Sequence, residues 1–215
     1  MNAAPEIPLL YSGPPQPQLV LAHGAGAPMD SEFMERMAVL LAERGIGVVR
    51  FEFPFMRRRR EEGGKRPPDR QQVLLDHWRQ VVQQIEAQRG AGPGQQPLYI
   101  GGKSLGGRMA SMVSDELAAA GLVCLGYPFH PPRKPDRLRV EHLADLATPT
   151  RIFQGTRDAL GSELEVRDYT LSAAIELVWL ADGDHDLKPR VRSGFSQQQH
   201  LATVADHIAA FIQRT

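Results

Sequence analysis

Gly102-Lys103-Ser104-Leu105-Gly106 is a G-x-S-x-G pentapeptide, the spacing that presents a serine as a nucleophile on a tight turn. The glycines are a steric requirement, because side chains beside so sharp a reversal would meet the backbone. A serine hydroxyl is a weak nucleophile at neutral pH. It needs a base within hydrogen-bond reach, and that base needs an orienting acid. Two downstream stretches supply those types in order. Gln154-Gly155-Thr156-Arg157-Asp158 ends in an acid, and Ala181-Asp182-Gly183-Asp184-His185 ends in a histidine. Ser104 is read as nucleophile, His185 as base and Asp158 as orienter. Asp182, Asp184 and Asp186 flank the histidine and stay open as alternative orienters. A tetrahedral oxyanion needs two backbone N–H donors. The Leu105 amide is one, at a helix start. The loop His23-Gly24-Ala25-Gly26-Ala27 supplies the other, from Ala25 or next Gly26.

These residues act together only if the elements between them bring them together. Leu19–Ala22, Ile46–Phe51, Leu98–Ile100, Leu122–Leu125, Arg151–Phe153 and Ile175–Leu180 are short apolar runs and read as strands. A short edge strand is expected near Pro8–Tyr11. Helical patterns run from Ser31 to Arg44, after Ser104, and from Gln198 to Ile212 with Leu201, Val204, Ile208 and Phe211 inward. Another is carried by Val73, Leu74, His77, Trp78, Val81, Val82 and Ile85 at spacings of three and four. Strands apolar on both faces and alternating with helices imply a mostly parallel α/β sheet of six or seven strands, covered on both sides. Residues 1–18 read as an N-terminal segment and 19–215 as a single domain. Ser104, Asp158 and His185 each follow a different strand, at the edge where open α/β sheets place ligands. Two stretches at that edge read as irregular: Arg57 to Asp69, with four consecutive arginines, and the proline-rich Pro128 to Pro135. Arg57 and His130 are therefore substrate-contact candidates, with Gly26. The arginine run has a competing reading as a solvated loop balanced by Glu61 and Glu62.

Bulk properties narrow the function. Hydrophobic residues make 42% of the 215-residue chain and charged residues 23%, and the formal net charge is zero. That balance disfavours nucleic-acid binding, which rests on neutralising phosphates. The single cysteine, Cys124, lies in an apolar run and suits a core position in a reducing compartment. Met1 to Leu10 lacks the pattern of a signal peptide, and no run approaches the ~18–20 apolar residues of a membrane span. A cytoplasmic location is expected. The histidines have no metal-site spacing. Gly102-Lys103-Ser104 resembles the end of a phosphate loop, but position 97 is Pro97 where that loop needs glycine.

The chain resembles small serine α/β-hydrolases of the dienelactone-hydrolase-like kind. More closely, it resembles bacterial relatives of the hydrolase-like domain in a subunit of the nuclear NSL histone acetyltransferase complex. The resemblance rests on the stretches above, on Phe53-Pro54-Phe55-Met56 with Arg66-Pro67-Pro68-Asp69-Arg70, on Gly107-Arg108-Met109-Ala110 after the elbow, and on Gly126-Tyr127-Pro128-Phe129-His130-Pro131-Pro132. It implies an α/β-hydrolase fold with nucleophile, acid and base at Ser104, Asp158 and His185. The interval from Tyr127 to Arg151 is only about twenty residues, so a minimal lid is expected. The expected activity is cleavage of a small carboxylic ester, lactone or thioester without cofactor or metal, by a monomer or small homo-oligomer that binds neither nucleic acid nor membrane. Two alternatives are an interaction module on a catalytically weak hydrolase scaffold and a perhydrolase or haloperoxidase on the same triad.

Overall fold

Strands β2 (Leu19–Ala22), β4 (Tyr99–Lys103) and β5 (Gly121–Leu125) are buried along their whole length. Apolar side chains point to both of their faces, and each face needs a helical cover. In the computed structural model, which describes residues 6–16, 18–90 and 96–214, that is the arrangement. Residues 1–5 of the expected N-terminal segment lie outside the described residues. Seven strands form one sheet in the order β1-β3-β2-β4-β5-β6-β7. Here β1 is Leu9–Ser12, β3 Val48–Phe51, β6 Thr150–Gly155 and β7 Ile175–Leu180. All pairings are parallel except β1 with β3, which runs antiparallel at one edge.

Alternation along each strand sorts the core into two layers. Leu19 and Leu21 of β2 face the layer of α1 (Glu32–Ala42) and α6 (Gln197–Gln213), with Met37, Leu41, Val204 and Ile208. Val20 and Ala22 face the layer of α3 (Gln71–Arg89) and α4 (Leu105–Ser111), with Trp78, Val81 and Met109. Cys124 belongs to this second layer, and complete burial pushes its thiol far above the ordinary range. The inward face of α3 is rotated slightly from the expected one: Val73 is exposed and Leu75 is buried in its place.

The arginine-rich stretch departs further from expectation. Pro54–Glu62 is a helix, α2, with Pro54 in its first turn, where a missing N–H costs nothing. Within it Arg57 pairs with Glu61 at 2.8 Å, an i,i+4 contact along one helix face. The remaining helix, α5, spans Glu163–Val166 and is capped by Ser162 and Glu165. Pro128 to Pro135 lies outside every strand and helix, and the return from β5 to β6 carries one short 3₁₀ turn, Glu141–Leu143. Among the described residues no helix is long and apolar enough to cross a membrane.

His142, in that turn, lies 2.8 Å from Ser111 Oγ at the end of α4. Burial, and then the nearby Arg108 cation, push its imidazole down to about 4. Between the ordinary histidine value of about 6.5 and that lowered value, the unfolded chain binds a proton that the folded chain refuses. Stability at this site is therefore present above about 6.5 and lost as the pH falls toward 4. With a discount for partial exposure, the loss is about 1–2 kcal/mol. His142→Gln should shrink the difference in urea midpoint between neutral and mildly acidic buffer. An unchanged difference would contradict the assignment.

Candidate active site

The turn from β4 into α4 holds Ser104 at φ 50° and ψ −114°, a conformation that side-chain-bearing residues rarely adopt. The two elements must nearly touch β2 to close it. A Cβ on Gly102 would stand 2.5 Å from the Ala22 carbonyl oxygen, and one on Gly106 would stand 2.5 Å from the same oxygen and 2.7 Å from that of His23. A Cβ on Gly107 would meet the Gly102 carbonyl at 2.6 Å. The main-chain N–H of Ser104 donates to Leu125 O of β5 at 3.0 Å. The elbow is thus gripped from both neighbouring strands.

Ser104 Oγ lies 2.8 Å from His185 Nε2, and His185 Nδ1 lies 2.8 Å from Asp158 Oδ2. A carboxylate only accepts, so Nδ1 carries the proton and Nε2 is left as acceptor for the serine hydroxyl. Asp158 is wholly buried. A buried carboxylate needs hydrogen-bond donors, and besides His185 it has two. The Leu160 N–H donates to Oδ1 at 2.8 Å and Gln154 Nε2 donates to Oδ2 at 2.9 Å. The other acids near the histidine are engaged elsewhere. Asp182 pairs with Arg157 and Arg190, and the hydrogen bond from Arg190 holds its carboxyl well below the usual range. Asp184 Oδ1 accepts from the N–H groups of Asp186 and Lys188, and Asp186 pairs with Lys103.

Two residues without a role in the motif reading hold this line in place. Gln154, fully buried at the end of β6, accepts from the Tyr127 N–H at 2.7 Å while its Nε2 reaches Asp158. It thereby ties the exit of β5 to the acid. Lys103 precedes the serine and is buried. Its Nζ donates to the His185 carbonyl at 2.7 Å, pairs with Asp186 at 3.2 Å and lies 5.4 Å from the Phe33 ring centroid. Burial pulls its ammonium below the ordinary lysine value, and Asp186 opposes that shift. A glutamine or lysine next to a motif residue signals neither role by itself; burial on a strand end does.

The loop after β2 is built on His23. Its Nε2 accepts from the Phe53 N–H at 3.0 Å, so Nδ1 is the protonated nitrogen and donates to the Gly24 carbonyl at 2.6 Å. Desolvation lowers its affinity for a second proton, so it stays a neutral brace. Arg59 of α2 donates to the Ala25 carbonyl at 2.9 Å. Leu105 opens α4, where a helix's first amides have no partner in the helix. Gly26 is exposed, with open space where a Cβ would stand.

The remaining expected contacts are placed differently. Arg57 is engaged by Glu61, Arg58 by Asp69 and Arg60 by Asp30 and Glu52, so the run is a paired helix face and not a free cationic loop. No hydrogen bond or ion pair joins Arg57 to the serine–histidine pair among the described residues. His130 is buried, not open to the solvent edge. Its Nδ1 donates to Pro131 O at 3.0 Å, and its main-chain N–H reaches Leu160 O at 3.3 Å, bracing the acid loop.

Solved structures share this architecture. A serine α/β-hydrolase without lid from Xanthomonas campestris superposes with a TM-score of 0.69 at 20% identity, over 96% of this chain and 90% of its own. Est1E from Butyrivibrio proteoclasticus, solved with ferulic acid bound, gives 0.68 at 14% identity over 97% and 94%. The esterase domain of a Rhodothermus marinus protein gives 0.64 at 18% over 96% and 91%. Such identities speak for the fold. Residues 15–213 match the sequence profile of the alpha/beta hydrolase domain family, nearly the whole chain, and this protein therefore belongs to the α/β-hydrolases.

Proposed function

We propose that this chain is a serine esterase acting on a small carboxylic ester, lactone or thioester. The observation that carries the reading is the unbroken line Ser104–His185–Asp158, with 2.8 Å at each junction. In this reading Ser104 Oγ attacks the carbonyl carbon as its proton passes to His185 Nε2. The oxyanion is held by the amides of Leu105 and Ala25, with Gly26 beside them. Collapse expels the alcohol or thiol, which takes the proton from His185, and leaves an acyl-serine. Water, deprotonated by His185, then attacks the acyl carbon and frees the acid. The charge that builds on His185 is met by Asp158. The return from β5 to β6 is short and holds one 3₁₀ turn, which favours small substrates over bulk lipid. Est1E with its ferulic acid and the Rhodothermus esterase domain lend the ester class indirect support. The lone buried cysteine accords with a cytoplasmic, reducing setting. The kinship to the NSL-subunit domain remains part of this reading, and its interaction-module role is the competing one.

Ser104→Ala should abolish labelling by a fluorophosphonate probe and lower hydrolysis of a 4-nitrophenyl ester by about 10⁴–10⁶. Wild-type protein that resists the probe would move the reading to an interaction module. Asp158→Asn should leave the protein folded and cost about 10⁴ in kcat, because the histidine would favour the wrong tautomer. A larger loss from Asp184→Asn or Asp186→Asn would overturn that assignment.

Lys103 does not face the ester in this mechanism; it positions the base. Lys103→Met should lower kcat by about tenfold or more through a displaced His185 loop, with KM nearly unchanged, since removal of a buried charge-assisted bond loosens its acceptor. Equal changes in kcat and KM would place Lys103 at the substrate instead.

A further inference from the structure

Most arginines of this protein are spoken for, including the run that sequence alone marked as an anion contact. Four cations at a groove along α4, the helix that follows Ser104, are not. Arg108, Lys134, Arg137 and Arg139 line a surface groove of about 580 Å³, together with Pro131 and Pro132. Among the described residues none of the four forms an ion pair. Arg108 Nη2 donates to Gln71 Oε1 at 3.0 Å, but its buried Nε has no partner. The cations crowd one another: Arg139 loses proton affinity first to burial and then to the neighbouring Arg108 charge. No carboxylate lines the groove. Asp136 and Glu141 lie in the same segment, yet neither forms an ion pair among the described residues.

The groove is tied to the elbow on both sides. Arg108 lies four residues after Ser104 on α4, one turn along, and its N–H donates to Ser104 O at 3.0 Å. The other wall leaves the end of β5. Turns from Lys134 N–H to Pro131 O and from Arg137 N–H to Lys134 O, each 3.1 Å, fold it, and the Arg139 N–H closes it onto Phe129 O at 2.8 Å. Three prolines, Pro131, Pro132 and Pro135, restrict it further. The backbone of this wall is thus set before a ligand arrives, and only the side chains remain to be ordered.

We propose that this groove binds an anionic group on the substrate, so that the preferred ester carries a carboxylate or phosphoryl group away from the scissile bond. The proposal rests on Ser104 being the ester-cleaving nucleophile. It assigns the charge recognition to Arg108, Lys134, Arg137 and Arg139, and not to Arg57–Arg60.

The test compares 4-nitrophenyl hydrogen glutarate with 4-nitrophenyl valerate, matched in length and differing in the terminal charge. The wild type should prefer the glutarate ester by about tenfold in kcat/KM at low salt, and ~0.5 M NaCl should erode the preference. Lys134→Gln with Arg137→Gln should remove about tenfold from the glutarate ester, chiefly in KM, and leave the valerate ester unchanged. Arg167→Gln with Arg192→Gln removes the same charge away from the groove and should alter neither ester. Absence of a preference, or an equal effect of the two double variants, overturns the proposal while esterase activity stands. If neither ester is cleaved and Ser104 resists the probe, the esterase reading fails, and binding decides the groove by itself. Glutarate and inorganic phosphate titrated calorimetrically should bind the wild type and be lost in the Lys134/Arg137 variant, their ranking telling a carboxylate from a phosphoryl source. No binding, or binding unchanged by the variant, overturns the groove as an anion site.

Discussion

The contact between the elbow and β2 is the constraint on which the site depends. Ser104 at φ 50° costs of the order of 1–3 kcal/mol relative to relaxed backbone, and that strain persists only where surrounding structure over-determines it. Here the determination is steric and comes from two sides. Gly102 and Gly106 admit the backbone of Ala22 and His23 at distances that a methyl group could not share. The hydrogen bond from Ser104 N–H to Leu125 ties the turn to β5. The same close approach that strains the serine lays the β2 loop, with Ala25, beside the start of α4. One packing event thus sets both the direction of the Ser104 side chain and the surroundings of the amides proposed as oxyanion donors.

Around this centre the acid and base loops are held by buried polar side chains. Gly155 lets β6 pass so close to the base loop that a Cβ there would stand 2.3 Å from the Gly183 carbonyl. The Arg157 N–H bonds that same carbonyl at 2.9 Å, and the Thr156 N–H bonds Leu180 at 3.0 Å. Gln154 reaches from β6 to the exit of β5 and to Asp158, and Lys103 reaches from β4 to the carbonyl of His185. The ends of β4 and β6 therefore each carry a buried polar tether beside a residue of the Ser104–His185–Asp158 line. Such tethers are costly to bury and worthwhile only when satisfied, and those of Gln154 and Lys103 are.

Charge is distributed by the same logic of satisfaction. The α2 arginines face carboxylates on their own helix, on Asp69 and on Glu52, and Arg59 turns inward to the Ala25 carbonyl. Arg59 thereby braces the loop after β2. The cations from Arg108 to Arg139 have no such counter-charges among the described residues, so their field is left to whatever approaches the groove.

The parallel sheet and its two helical layers are legible in the chain itself, and so are Ser104, Asp158 and His185, which the fold sets in one hydrogen-bonded line. Local chemistry wrote them: a glycine-flanked serine after an apolar run, an acid and a histidine after later runs, and 3.6-residue periodicity between. Strand existence needs only a short apolar stretch, so even the edge strand was found to within one residue, near Pro8–Tyr11 against Leu9–Ser12. What sequence left open was pairing. Three aspartates flank His185 as alternatives to Asp158, and only the folded chain puts Asp158 on its Nδ1 and engages Asp182, Asp184 and Asp186 elsewhere. The sequence draws the eye to Arg57–Arg60 and not to the scattered Arg108, Lys134, Arg137 and Arg139. The difference between them is that carboxylates fold against Arg57, Arg58 and Arg60, whereas among the described residues none pairs with Arg108, Lys134, Arg137 or Arg139. A side chain's charge belongs to the sequence, but whether that charge is already spent is decided by which residues, distant along the chain, fold against it.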